Sequence, residues 1–229
     1  MKKLLILAAL SLGLAACSAT GGAHKHDESA VYLDKARLQT LEFTPSPSPD
    51  SQVDRADFAE LHRWQDKRTS WQCVQAESEG EAYFDQFFLR LRPFTGPLPK
   101  ESVDFLLRVR EDASTAVTIL KERNGRQRPF LRDPGLSPCL GKIGGLAYPS
   151  GHATLARLYA LMLTELMPLR RSEFIARSDE AALNRVIGGV HHPSDVEAGK
   201  RLGDLLFIRF MENTEFRANL QKLRDYAAE

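Results

Sequence analysis

Cysteine is scarce in this chain of 229 residues, at three in all, and no run of about 18 uninterrupted apolar residues follows residue 16. The second absence excludes a further bilayer-spanning helix. The first leaves room for one intramolecular bridge once Cys17 is accounted for. An excess of charge of either sign is also missing. The formal charge is +1, and loss of Lys2 and Lys3 with an N-terminal segment would take it to about −1, so no global field favours nucleic acid. No stretch alternates apolar and polar residues in the manner of a half-buried strand, and no internal repeat occurs. What remains is a composition with 43% hydrophobic and 27% charged residues, ordinary for one globular domain with a hydrophobic core.

Residues 1–16 have a basic start at Lys2 and Lys3, an apolar stretch from Leu4 to Leu14, and small residues before Cys17, the anatomy of an export signal. The tetrapeptide Leu14-Ala15-Ala16-Cys17 resembles a bacterial lipobox, in which the cysteine is lipidated and becomes the new N-terminus. Ser18 resembles the residue found in lipoproteins sent to the outer membrane. An ordinary cleaved signal is the alternative, and either one takes the mature protein out of the cytoplasm. The expectation is a periplasmic protein, anchored at the outer membrane through lipid on Cys17 and touching the membrane nowhere else. Residues 17–30 are small and polar and read as a tether, with His24 and His26 as solvated linker residues rather than metal ligands. The domain is expected over residues 31–229. Cys73 and Cys139 are candidates for a disulfide in an oxidising compartment, although the sequence carries no distance between their Cα atoms.

Pro45, Pro47 and Pro49 mark an extended crossing, after which helix-compatible stretches are punctuated by Pro, Gly and Asn. The reading is an all-α domain, a compact single-domain helical bundle, with helices over 51–71, 77–91, 98–123, 150–167, 172–187, 193–212 and 214–227. In the third, Phe105, Leu106, Val109, Ala113, Ala116, Val117 and Leu120 recur at threes and fours and should bury one face.

Three segments supply what phosphoryl transfer through a histidine requires: cations around the equatorial oxygens, an in-line nucleophile, and an acid for the departing oxygen. In the first, Lys121 ends a helix that Asn124-Gly125 should terminate, and Arg128 is pushed toward an extended conformation by Pro129. Lys offers a point charge and Arg a planar fork, so the two can hold different phosphate oxygens. In the second, Pro149 suits the first position of a helix. Ser150, Gly151 and His152 would then sit at an anion-binding helix N-terminus, with His152 as general acid. In the third, Gly188-Gly189 lets the chain turn between Arg185 and His191, and Pro193-Ser194 opens another helix. Asp195 would accept a hydrogen bond from one nitrogen of His191, fixing its tautomer and leaving the other lone pair as nucleophile. His192 is expected to point elsewhere and serve structure.

Lys121, Arg128-Pro129, Pro149 to His152, Arg185, His191 and Asp195, in this order and spacing, give the chain a family. It resembles the superfamily of type 2 phosphatidic acid phosphatases and vanadium-dependent haloperoxidases, and within it the bacterial class A nonspecific acid phosphatases. The likeness runs from about Val31 to the C-terminus and is densest between Leu106 and Leu206. It implies a compact helical fold and an acid phosphatase of phosphate monoesters, with inorganic phosphate or vanadate as site ligands and neither cofactor nor metal. By the same resemblance His191 would form the phosphohistidine, Asp195 would orient it, and His152 would protonate the leaving group. Lys121, Arg128, Ser150, Gly151 and Arg185 would hold phosphate. One position departs, since the serine that the family carries before the arginine is Asn184 here. Three other readings compete: a phosphatase of a lipid phosphate or pyrophosphate at the membrane surface, a vanadate-dependent halide oxidant, and an envelope protein that only binds phosphate. The physiological substrate and the oligomeric state are not encoded in any motif.

Overall fold

A computed structural model describes residues 32–228, so the export signal, Cys17 and the tether expected from the sequence lie outside the described residues. The chain enters at α1 (Lys35–Gln39), crosses the proline-rich segment and forms α2 (Gln52–Lys67), α3 (Ser70–Ser78) and α4 (Phe84–Phe88). Then come α5 (Lys100–Asn124), α6 (Pro129–Arg132), α7 (Gly151–Leu166), α8 (Arg171–Ile187), α9 (Pro193–Glu212) and α10 (Thr214–Lys222). The fold is all-α; the described residues hold no strand, and Phe94 and Ala227 form an isolated antiparallel bridge.

Two expected helices are broken, each for a local reason. The stretch read as 51–71 stops at Arg68, which is extended at φ −63° and ψ 142°, and restarts behind a capping box between Thr69 and Gln72. Threonine gains more at a cap than inside a helix, where its β-branch is confined. The stretch read as 77–91 is helical over Phe84–Phe88 and a short 3₁₀ turn at Leu89–Leu91. Before it the chain makes a tight turn at Glu79-Gly80-Glu81-Ala82, with Ala82 at φ 55°. The Glu79 side chain is drawn inward there to a buried arginine. The short α1 and α6 escaped the periodicity, since four or five residues do not complete a repeat.

α5 buries all seven residues of its expected apolar face. It ends where the backbone N–H of Gly125, in the left-handed region at φ 63°, donates to the carbonyl of Lys121 at 2.9 Å. Lys121 is thereby fixed on the last turn of a long buried rod. A second apolar cluster gathers Leu61, Phe130, Leu136, Ala153, Val186, Val190 and Val196 from α2, α6, α7, α8, α9 and the connecting loops. This cluster lies beneath all three motif segments. Cys73 in α3 and Cys139 are joined by a disulfide, with their Cα atoms 5.9 Å apart, which ties the loop before α7 to the N-terminal half of the chain.

The contact that places the site is α7 against α9. A Cβ on Gly199 would stand 2.4 Å from the Ser150 carbonyl oxygen and 2.8 Å from the Ala153 Cβ. One turn on, a Cβ on Gly203 would meet Arg157 Cβ and the Thr154 carbonyl at 2.8 Å. The two helix beginnings are also stitched directly, because the Ser150 N–H donates to the Asp195 carbonyl at 2.9 Å. Gly199→Ala should therefore destabilise the fold by about 1–3 kcal/mol through overpacking, although alanine is the better helix former. Thermal denaturation checks this, and a variant as stable as wild type would show that the close approach is not needed.

Candidate active site

Three basic side chains are carried into the interior by the ends of three elements. Arg128, extended at φ −62° and ψ 150°, stands just before Pro129 at the start of α6 and is 5% exposed. Its guanidinium donates to the carbonyls of Gly145 at 3.2 Å, Gly144 at 3.1 Å and Val190 at 3.0 Å, which fixes the plane of the fork. Lys121 donates to the Leu146 carbonyl. Arg185, on the last turn of α8 and buried, donates to the Ala76 carbonyl at 3.2 Å, while its Nε makes no hydrogen bond. These cations sense one another. Burial and then the Arg128 guanidinium push the Lys121 ammonium down to about 7. Burial lowers Arg128 to about 10, and burial, opposed by Glu79 and reinforced by Arg128, lowers Arg185 to about 10. An anion is the natural way to offset such crowding.

Between the cations lies His191, 2% exposed. It follows a turn in which Gly189 takes φ 77°, and its N–H and that of Val190 return to the Arg185 carbonyl. Arg128 Nη1 stands 2.7 Å from His191 Nε2. A guanidinium can only donate, so Nε2 is the unprotonated nitrogen and the ring proton sits on Nδ1. Nδ1 lies 3.5 Å from Asp195 Oδ2 and is without a hydrogen bond. Burial, with the Arg128 cation, holds this imidazole well below its ordinary range, so it is neutral.

Asp195 has nearer partners than His191. Its Oδ2 accepts from the backbone N–H and from Nδ1 of His192, both at 2.8 Å. Far from pointing elsewhere, His192 is the ring bonded to the carboxylate, and Arg128 is the group that sets the tautomer of His191. The sequence reading missed Arg126 altogether. Its Nη1 reaches Asp195 Oδ1 at 2.6 Å and Ser194 Oγ at 2.7 Å, and its Nη2 reaches Asp54 Oδ1 and Asp57 Oδ2, both at 2.9 Å. Arg132 grips Asp54 with both terminal nitrogens at 2.7 Å. The available signal was Asp54 and Asp57, three apart on one face of α2. Burial raises the Asp195 carboxyl, but the contacts with His191 and His192 outweigh it and hold the group ionised.

At the α7 end, Ser150 is the N-cap, its Oγ accepting from the Ala153 N–H at 3.4 Å, and Gly151 is the first helical residue. Pro149, joined to Tyr148 by a cis peptide, therefore lies outside the helix rather than at its first position. His152 Nε2 stands 3.0 Å from the Glu79 carbonyl oxygen and 2.9 Å from that of Gly80. Burial, then the Arg185 cation, pushes His152 down to about 3. Asn184 donates to Glu79 Oε2 at 3.1 Å and faces that carboxylate. All eight residues singled out for chemistry thus lie at the converging ends of α5, α6, α7, α8 and α9.

Residues 111–217, which contain Lys121, Arg128, Ser150, Gly151, His152, Arg185, His191 and Asp195, match the PAP2 superfamily. The chain carries a PAP2 superfamily domain. Similar to it are the non-specific acid phosphatases of Salmonella typhimurium, 40% identical over 34% of this chain and 32% of that one, and of Providencia stuartii, 33% identical over 58% and 56%. A lipid A 1-phosphatase of Rhizobium etli is 36% identical over 37% of this chain and 38% of its own. The matches span between about a third and just over half of the length of these curated relatives. Among solved structures, a transmembrane PAP2-type phosphatidylglycerolphosphate phosphatase from Bacillus subtilis superposes with a TM-score of 0.51 at 22% identity, over 78% of this chain and 90% of that one. A bacterial vanadium-dependent iodoperoxidase superposes at 0.58 and 17%, over 78% and 53%. Both share the fold of this PAP2 domain. No helix among the described residues is long and apolar enough to cross a membrane.

Removing Arg126 from the PAP2 domain leaves three carboxylates buried around a missing cation, and Arg126→Ala should cost about 3–5 kcal/mol. Asp54 is held well below the usual carboxylate range by Arg132 and Arg126 against burial, and Asp195 is held there too. Groups depressed in this way stabilise the fold above the ordinary carboxylate pKa of about 4, and less as pH falls through their folded values. Urea unfolding across pH should show the deficit largest above pH ~4 and narrowing below it. A pH-independent deficit would contradict this assignment.

Proposed function

We propose that this chain is a phosphatase that hydrolyses phosphate monoesters at acid pH through a phosphohistidine on His191, using its own cations and no metal. The observation that carries the reading is the Arg128 guanidinium donating to His191 Nε2, which makes that nitrogen a lone pair among phosphate-binding groups. Nε2 attacks phosphorus as the bond to the leaving oxygen breaks, and a protonated His152 gives its proton to that oxygen, releasing a neutral alcohol. Water then attacks the phosphorus while His152 takes its proton, returning free His191 and inorganic phosphate. Lys121, Arg128 and Arg185, with Ser150 and Gly151 at the start of α7, stabilise the negative charge on the equatorial oxygens. The same cluster would bind inorganic phosphate or vanadate. Asp195 acts on His191 from 3.5 Å, while His192 and Arg126 hold the carboxylate in place.

The relatives named non-specific acid phosphatase support a small, undemanding substrate. The lipid A 1-phosphatase supports a second reading, a lipid phosphate at the membrane surface, which comparison of a phosphorylated lipid in mixed micelles with p-nitrophenyl phosphate would separate. An N-terminus lipidated at Cys17 would place the domain in the periplasm at the outer membrane, and loss of membrane fractionation in Cys17→Ala would support that placement.

Acid preference has two physical sources in this site. A substrate dianion favours the charged form of His152 and lifts it from about 3. Lys121, lowered to about 7, is charged below that pH and neutral above it, so phosphate binding weakens as pH rises through this region. With p-nitrophenyl phosphate, His191→Ala should lose activity on the order of 10⁴-fold or more. Lys121→Arg should extend the alkaline limb of kcat/KM to higher pH. Turnover by His191→Ala comparable to wild type would overturn the reading, and an unmoved alkaline limb would remove Lys121 from it.

A further inference from the structure

The turn between α3 and α4 touches the site through its backbone and is held through its side chain. The carbonyl oxygens of Glu79 and Gly80 lie 3.0 Å and 2.9 Å from His152 Nε2. Carbonyls only accept, so Nε2 carries a hydrogen, and the proton that His152 can hand over is the one on Nδ1. Glu79 is 3% exposed, an unusual depth for a carboxylate, and both of its oxygens are engaged. Oε1 accepts from Arg177 Nη2 and Oε2 from Asn184 Nδ2 at 3.1 Å. Arg177 is itself fixed by donation of its Nε to the Phe87 carbonyl at 2.7 Å, and the Phe87 ring packs edge-on at 6.2 Å from the His152 ring. The next residue along α8 from Asn184 is Arg185, which donates to Ala76 at the end of α3. One helix end thus carries a phosphate-binding cation and, beside it, the amide that pins the turn.

We propose that Glu79 is a positioning residue for the leaving-group acid. Its carboxylate, clamped by Arg177 and Asn184, sets the two carbonyls that keep His152 in the Nε2–H form, with Nδ1 given to the departing oxygen. This rests on the phosphohistidine reading above. In the step concerned, the bond from His191 Nε2 to phosphorus forms and the bond from phosphorus to the ester oxygen breaks. The Nδ1 proton passes to that oxygen, and His152 is left neutral with its Nε2–H still on the turn. Asn184 then has a task where related phosphatases carry serine: its longer amide spans to the carboxylate.

The readout is leaving-group dependence, which a merely structural residue would not alter. An alkyl phosphate needs the proton as its oxygen departs, whereas a p-nitrophenolate leaves without it, and kcat/KM covers the steps up to that departure. With glycerol phosphate, Asn184→Ser should lower kcat/KM about tenfold and Glu79→Gln further, toward the loss on the order of 10²–10⁴ expected for removing a general acid. With p-nitrophenyl phosphate, both should stay within about twofold of wild type. Thermal melts establish that the variants are folded, and Asn184→Ser, which trims one hydrogen bond, keeps the test open if Glu79→Gln does not fold. Equal losses on both substrates, or no loss on either, would overturn the inference while leaving the phosphohistidine reading intact. Undiminished activity in His191→Ala would remove both.

Discussion

A single buried guanidinium organises this end of the molecule. Arg126 joins Asp54 and Asp57 on α2 to Asp195 on α9, from a segment that continues two residues later into Arg128. Burying four such charges is expensive unless each is paired and hydrogen-bonded, and here the geometry meets that condition. Because Asp195 is fixed in this knot, its carboxylate can hold His192, face His191, and lend its backbone carbonyl to the first turn of α7. The other groups inherit their positions from it. Asp112 plays a comparable part at the opposite end, where its carboxylate receives the N–H groups of Tyr32 and Leu33 and seats the entering chain on α5.

Around the knot the fold assembles charge of one sign where it is least comfortable. Lys121, Arg128 and Arg185 are each lowered by burial, and Arg128 works against both of the others. Two helix beginnings add positive dipole ends in the same region. The close glycine contact of α9 on α7 brings those beginnings together, and the apolar cluster beneath them keeps the arrangement rigid. Preorganised positive potential in a dry interior is what a phosphoryl group with developing negative charge requires.

Much of this was legible before any coordinates. The helical class, the buried stripe of α5 and the boundaries of α9 followed from periodicity, from Gly125 as a stop and from Pro193 as a start, all of them local signals. Lys121, Arg128, His152, Arg185, His191 and Asp195 were readable because proline, glycine and the spacing of the motifs constrain where each can point. What escaped depends on partners distant in sequence. Arg126 is one more basic residue until Asp54 and Asp57, some seventy positions earlier, fold against it. His192 looked inert since nothing adjacent shows that it, and not His191, lies against Asp195. The turn at Glu79 was read as helix because its reason for turning is Arg177, on the far side of the chain.

The central claim is that the buried imidazole of His191 takes the phosphoryl group onto Nε2. Rapid acid-free quenching of wild type with radiolabelled substrate, followed by peptide mapping, tests it directly. The account predicts an acid-labile label confined to the peptide carrying His191. A label on any other residue, or full turnover with no covalent phosphoenzyme formed, would contradict it.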